Sequence, residues 1–287
     1  MKLFILWQHW VLEETARALS DALVPMGVDH ECRRQDNLPI VDHINVYIVV
    51  GIHHFTQLDI SNLIIVQTEQ PGSNLFNESL YRNLRNALGV WEFSPRLNKK
   101  WLDIGVNSHY VPIRIPMEPF LISDKEDIHF SGIEKDIDVL FYGGRNNRRV
   151  FLENKIKRTF PRKKIMFRYY DLSGDDRENV IARSKIVLNT HFWMESSLET
   201  HRIEYLLARG KCVISERSMD NELDDEYSSA VVFSDYDKMT DVIGRLLGNP
   251  DEIRNIGIIS RKLSETHQFD MSHIRKALVE CVARAYT

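Results

Sequence analysis

The sequence is poor in cysteine: Cys32, Cys212 and Cys281 are three in 287 residues, odd in number and far apart. That pattern argues against a disulfide framework and a thiolate zinc cluster, and it points to a reducing, cytoplasmic setting. A basic excess is lacking too. With 37 Lys and Arg against 41 Asp and Glu the net charge is −4, so nucleic acid is not an expected partner, because phosphate binding favours a positive surplus or stripe. No run approaches the roughly 20 apolar residues that span a bilayer, which leaves peripheral contact as the expected limit of any membrane association. Met1-Lys2-Leu3-Phe4-Ile5-Leu6-Trp7 is too short for a signal-peptide core and meets Gln8-His9-Trp10 without a small-residue cleavage site. It reads as a buried first strand. Short-period repeats and low-complexity segments are missing as well.

What is present is alternation. Strand-like runs at 3–7, 28–33, 46–50, 63–67, 90–93 and 110–113 are interleaved with helical patterns at 12–23 and 78–88, which implies a parallel sheet with helices on its faces. Residues 113–127 hold Pro116 and Pro119 and end on Ser123-Asp124-Lys125-Glu126-Asp127, the composition of a linker. The pattern then restarts, with strands at 137–142, 164–169, 186–189, 211–215 and 230–233. Helices are expected at 148–159, 176–183 and 198–209, and three more from 237 to the end. The expected class is α/β: two facing Rossmann-like domains, residues 1–118 and 119–287, with the last helix free to cross back onto the first. Open sheets of this kind bind ligands outside the carboxyl ends of their strands.

Two segments carry chemistry in the second half. A strand from Asp138 ends in Gly143-Gly144-Arg145 and is followed by a helix near Arg148. Glycines there let backbone amides approach a phosphate, while the helix amino terminus and Arg145 add positive charge. The pair matches neither the dinucleotide fingerprint nor the Gly-Lys-Ser/Thr phosphate loop, so a plain strand-to-helix turn is the competing reading. Further on, Ile203, Leu206 and Leu207 form the core stripe of a helix that Gly210 stops. Glu199 and Arg202 lie one turn earlier, where a carboxylate can accept the two hydroxyls of a ribose. Ser196 and Glu199 also have the spacing of a capping box, in which Glu199 serves only its own helix.

The run from Glu199 through Arg202 and Gly210 to Glu216, with the Gly143-Gly144-Arg145 turn before it, resembles the donor-binding half of bacterial and viral GT-B glycosyltransferases. Among these it resembles the spore-maturation-type proteins. Val66-Gln67-Thr68-Glu69-Gln70, Val90-Trp91-Glu92-Phe93-Ser94 with Asn98, and Tyr110-Val111-Pro112 are similar to their amino-terminal halves, so the resemblance covers nearly the whole chain. It implies metal-independent transfer of a hexose or pentose from a nucleoside diphosphate sugar to a glycan or other hydroxyl acceptor, with no further cofactor. Epimerase, hydrolase and non-catalytic nucleotide-binding roles exist as alternatives on the same fold. The Gly143 and Gly144 amides and Arg145 would hold the diphosphate and Glu199 the ribose or sugar hydroxyls, with His191, Thr200 and Arg202 completing the donor side. In many superfamily members two glutamates bracket seven residues before an Ala-x-Gly sequence; relative to Ala208-Arg209-Gly210, Glu204 sits one residue off the second of those positions, with Tyr205 in its place.

Three segments at expected carboxyl ends of the first sheet would serve the acceptor: Gln8-His9-Trp10, Gly51-Ile52-His53-His54 and Glu69-Gln70. One of His9, His54 or Glu69 is the expected general base, His9 first, since its ordinary pKa suits proton removal near neutrality. Metal ligation by His53-His54 is disfavoured, because adjacent residues on an extended chain point to opposite sides. Asp136-Ile137-Asp138 has the Asp-x-Asp pattern but begins a strand, and Asp224-Asp225-Glu226 reads as a solvated polar loop. The basic cluster from Lys155 to Lys164 reads as a charged helix end, with an anionic membrane surface as the lesser alternative. Oligomeric state has no signature in the sequence.

Overall fold

Runs such as Val46-Tyr-Ile-Val-Val50 and Leu63-Ile-Ile-Val66 are buried at every position, which requires a sheet covered on both faces. The computed structural model describes residues 2–35, 45–52, 60–112, 133–268 and 271–285; the expected linker at 113–127 and the candidate His54 lie outside them. Two compact units emerge, residues 1–117 with 268–287, and residues 118–267.

In the first unit, β1 (Leu3–Trp7), β2 (His30–Arg34), β3 (Val46–Val50), β4 (Leu63–Val66), β5 (Gly89–Glu92) and β6 (Ser108–Tyr110) form a parallel sheet in the order β2-β1-β3-β4-β5-β6. Helices α1 (Glu13–Leu23), α2 (Glu78–Asn86) and α3 (Pro95–Asp103) connect the strands. One sheet face packs Ile5, Ile48 and Trp91 with Leu19 and Leu23 of α1. Ile274, Leu278 and Cys281, on the carboxyl-terminal helix, join that same cluster. The other face packs Leu6, Val49 and Ile65 with Leu80 and Leu84 of α2 and with Leu97 and Trp101 of α3.

The second unit has β7 (Ile137–Gly143), β8 (Ile165–Tyr169), β9 (Ser184–Asn189), β10 (Cys212–Glu216) and β11 (Val231–Ser234), all parallel, in the order β11-β10-β9-β7-β8. Its helices are α4 (Asn147–Thr159), α5 (Gly174–Ala182), α6 (Thr200–Ala208), α7 (Asn221–Tyr227), α8 (Met239–Leu247) and α9 (Pro250–Gln268); α10 (Ser272–Ala285) is the helix returned to the first unit. After β7 the chain builds β8 on one side and then β9 on the other. That reversal opens a crevice at the carboxyl ends of β7 and β9, the place where doubly wound sheets bind ligands. The first sheet reverses in the same way between β1 and β3.

Two helices depart from the sequence reading. Ser94 caps α3 through its hydroxyl, 3.1 Å from Leu97 N, and Pro95 opens it, but Leu97 and Trp101 alone make too short an apolar stripe to register as a period. The expected solvated loop at Asp224-Asp225-Glu226 is helix α7, and Asp224 is buried, accepting from Ser218 N at 2.9 Å. Burial pushes the Asp224 carboxyl above its ordinary pKa. No helix among the described residues is long and apolar enough to cross a membrane.

Helix α6 stops at Gly210, whose φ of +59° is costly for residues with a Cβ. A Cβ added at Gly257, inside α9, would lie 2.4 Å from the Gly210 carbonyl oxygen. Exchanging a helical glycine for alanine ordinarily gains about 1 kcal/mol. Gly257→Ala should do the reverse and cost about 1–3 kcal/mol through overpacking, seen as a lower denaturant midpoint at unchanged slope. A raised midpoint would show that the two backbones separate freely.

Candidate functional site

The carboxyl end of β7 is where the second unit gathers its polar chemistry. Gly143 has a φ of +145°, and a Cβ there would lie 3.1 Å from Arg202 Nη2. At Gly144 a Cβ would meet the Phe192 ring and the Tyr170 hydroxyl, each at 3.1 Å. Side chains from three other segments therefore press on this turn, and glycine is what lets them. Asn146 begins α4 by accepting from Arg149 N at 2.8 Å and also donates to the Phe192 carbonyl at 2.6 Å.

Arg149 ties the crevice together. Its side chain is buried, donating from Nη1 to Gly144 O at 3.0 Å and from Nε to Thr190 O at 3.2 Å, with Nη2 also on Thr190 O. It thereby bridges the ends of β7 and β9. Arg202 donates from Nη1 to Tyr142 O at 2.9 Å and holds the start of α6 against β7. Between these cations sits Glu199, with Oε2 3.1 Å from Arg202 Nε and Oε1 3.6 Å from Arg149 Nη2. Burial alone would raise the Glu199 pKa, but Arg202 and Arg149 outweigh it and bring it down to about 2. Burial also lowers Arg149 to about 10; Glu199 opposes that shift and Arg202 adds to it. Two guanidinium groups share one carboxylate, which leaves a positive surplus.

Farther along the same edge, Arg148 donates to Glu216 through Nη1 at 2.7 Å and through Nη2, forming a two-pronged pair. Glu216 also accepts from His191 N at 3.1 Å. Buried polar atoms on this edge that make no hydrogen bond to the protein include Asn189 Oδ1, Thr190 Oγ1, His191 Nδ1 and Thr200 Oγ1. A buried polar group without a partner is costly, and a polar ligand at this edge would supply partners.

The expected donor-side residues Gly143, Gly144, His191, Glu199, Thr200 and Arg202 thus gather at this edge, and Arg145 stands exposed at its mouth. The capping box does not form. Glu199 makes no side-chain cap, and the Ser196 hydroxyl donates to Trp193 O at 3.1 Å. The sequence reading missed Arg148 and Arg149 as functional residues. Their signal was two arginines and no acid in the first turn of a helix, against the helix dipole, an arrangement that a bound anion compensates. Glu204 belongs to a different cluster, accepting from the Tyr227 hydroxyl at 2.6 Å and facing His267 Nδ1 at 2.5 Å. Asp136 pairs with Arg183 and Lys164, and Asp138 with Lys185. Among the described residues no three His, Cys, Asp or Glu side chains form a metal-ligand cluster.

In the first unit, His9 begins a short 3-10 turn, with Nδ1 accepting from Val11 N at 3.4 Å. Glu69 follows β4 on a backbone clamped by Gln67, which accepts from Glu69 N at 2.6 Å and donates to Glu69 O at 2.9 Å. Gln67 in turn donates to Glu92 at 3.4 Å, and Glu92 also receives Trp101 Nε1 at 2.8 Å and Ser94 N at 3.0 Å. Burial pushes Glu92 up to about 7 in spite of these donors.

No family model matches the sequence, and no curated protein matches it either. Solved structures do. Sucrose-phosphate synthase from Thermosynechococcus elongatus superposes with a TM-score of 0.60 over 97% of this chain and 99% of its own, at 12% identity. The chain has the GT-B fold. Anabaena HepE in complex with UDP and glucose is similar over 99% of both chains, with TM-score 0.58 and 12% identity. T4 phage β-glucosyltransferase in complex with UDP and Mn2+ is similar over 98% of this chain and 99% of its own, with TM-score 0.59 and 13% identity.

Glu199→Gln removes the charge that balances Arg149 and should cost about 3 kcal/mol at pH 7, the range for breaking a buried ion pair. Because folding depresses the Glu199 pKa from 4.5 to about 2, its contribution is complete above pH 4.5 and is lost as pH falls toward 2. The stability gap between wild type and variant, measured by urea unfolding, should close over that window. A gap independent of pH would show that the carboxylate is not the stabilising species.

Proposed function

We propose that the chain is a glycosyltransferase that moves a sugar from a nucleoside diphosphate sugar to a hydroxyl acceptor, with the second unit holding the donor. The observation that carries this reading is the shared carboxylate: Arg149 and Arg202 divide Glu199 between them beside two glycines at the reversal point of the sheet. A diphosphate supplies the missing negative charge, and Thr190, His191 and Thr200 offer it or its sugar further hydrogen bonds. Arg145, exposed at the mouth, adds a cation for the same group. Structural neighbours solved in complex with UDP support the choice of nucleotide. In the reaction the bond from the sugar to the diphosphate breaks and charge grows on the leaving oxygen. Fixed guanidinium groups and helix amides stabilise that charge most where it is greatest, in the transition state.

This reading assigns no step to a metal. Release of nucleoside diphosphate from a panel of nucleotide sugars, with hydroxyl acceptors and excess EDTA, should proceed at the rate seen without EDTA. Loss of turnover restored by Mg2+ or Mn2+ would transfer the counter-charge to a metal, and acceptor-independent release at the full rate would make the enzyme a hydrolase.

Of the two base candidates among the described residues, Glu69 has both its backbone N and O held by Gln67, which is itself bonded to Glu92, at a strand's carboxyl end. His9 is exposed and directs Nδ1 to its own turn. We therefore assign proton removal from the acceptor to Glu69. A positioned base contributes about 100- to 10,000-fold, so Glu69→Gln should lower kcat at least about 100-fold while affinity for the nucleoside diphosphate holds. Turnover within a few-fold of wild type would pass the role to His9 or His54.

A further inference from the structure

Tyr170, the residue after β8, is the one non-glycine with positive φ among the described residues, at +61°. An aromatic side chain gains nothing from the left-handed region by itself, and residues held there concentrate at ligand sites. A hydrogen bond from Tyr170 N to Gly143 O, 3.2 Å long, fixes the backbone in place. Tyr170 is 67% exposed, yet its hydroxyl and the Phe192 ring both lie 3.1 Å from where a Cβ on Gly144 would stand. A large apolar ring is thus kept in water and in a strained backbone, beside the turn that the proposed donor diphosphate would occupy.

The order of strands says which way the rest of the nucleotide runs. Gly143 and Gly144 follow β7, which has β9 on one side and β8 on the other. Beyond β9 the edge is occupied by Glu216, a carboxylate already engaged with Arg148 and His191 N that offers a diphosphate no donor. Beyond β7 on the other side lies Tyr170, about one strand spacing of 4.8 Å away. A nucleoside attached to a diphosphate over the glycines meets that ring first. Resting on the donor reading above, we infer that Tyr170 is the stacking platform for the nucleobase of the sugar donor. Stacking on an aromatic ring needs only a π face, so this contact gives affinity for the nucleoside without selecting the base.

The test is calorimetric titration of the full-length protein with UDP, ADP and GDP, and with inorganic pyrophosphate as the probe that lacks a base. For the nucleotide that binds best, Tyr170→Ala should weaken affinity about tenfold, within the range for one base–aromatic stack, and leave pyrophosphate affinity unchanged. Tyr170→Phe should bind as wild type does. Tyr170→Gly, which suits the left-handed backbone, should show the same tenfold loss without a fall in Tm, separating the contact from any folding defect. Unchanged nucleoside diphosphate affinity in both truncated variants would overturn the inference. So would a parallel loss for pyrophosphate, which would reduce Tyr170 to a wall of the anion cradle, or a loss confined to the intact nucleotide sugar, which would place the sugar on the ring. If wild type bound neither pyrophosphate nor any nucleoside diphosphate, the donor reading itself would fail, and the inference with it.

Discussion

The second unit is organised around one buried guanidinium. Arg149 cannot shed its charge at any ordinary pH, so a fold that buries it must surround it with acceptors. It does so with the carbonyls of Gly144 and Thr190, from two different strand ends, and with the carboxylate of Glu199. Each acceptor constrains something else. The first sets the glycine turn and the second the register of the β9 end. Glu199 sets the start of α6, where Arg202 reaches back to β7. Removing the cation would free all three segments, and that interdependence explains how a turn without a recognised phosphate motif can keep a defined shape.

Elements that a single period can describe were legible in the sequence. Leu3–Trp7 and Val46–Val50 are strands at the expected residues, because strands buried on both faces write themselves as unbroken apolar runs. Helix α4 was visible from its length. Helices α3 and α7 were not, since each presents few apolar residues and depends on capping by Ser94 or Asp220, and on burial of a polar side chain such as Asp224. The glycine pair and Glu199 were legible as polar chemistry at a strand end. Arg149 was not, because an arginine in a basic stretch looks solvated, and its burial follows from contacts with Thr190, 41 positions away.

The first unit offers the complementary lesson. Val90-Trp91-Glu92-Phe93-Ser94, singled out for resemblance, is largely scaffolding: Glu92 takes the Trp101 indole and Ser94 N, while Ser94 caps α3. Its link to function is indirect, through Gln67 to the backbone of Glu69. Burial raises the Glu92 pKa toward neutrality while its donors oppose that shift, and one of those donors, Gln67, also holds the Glu69 backbone.

Helix α10 places the end of the chain in the core of its beginning. Ile274, Leu278 and Cys281 share the sheet face formed by β1, β3 and β5 with Leu19 and Leu23 of α1, so that face is only partly covered until residues 272–285 have been made. The second unit, continuous from 118 to 267, has its whole core in hand before then. An amino-terminal domain is ordinarily the first to complete its fold during synthesis; here its core draws on residues that follow the whole second unit.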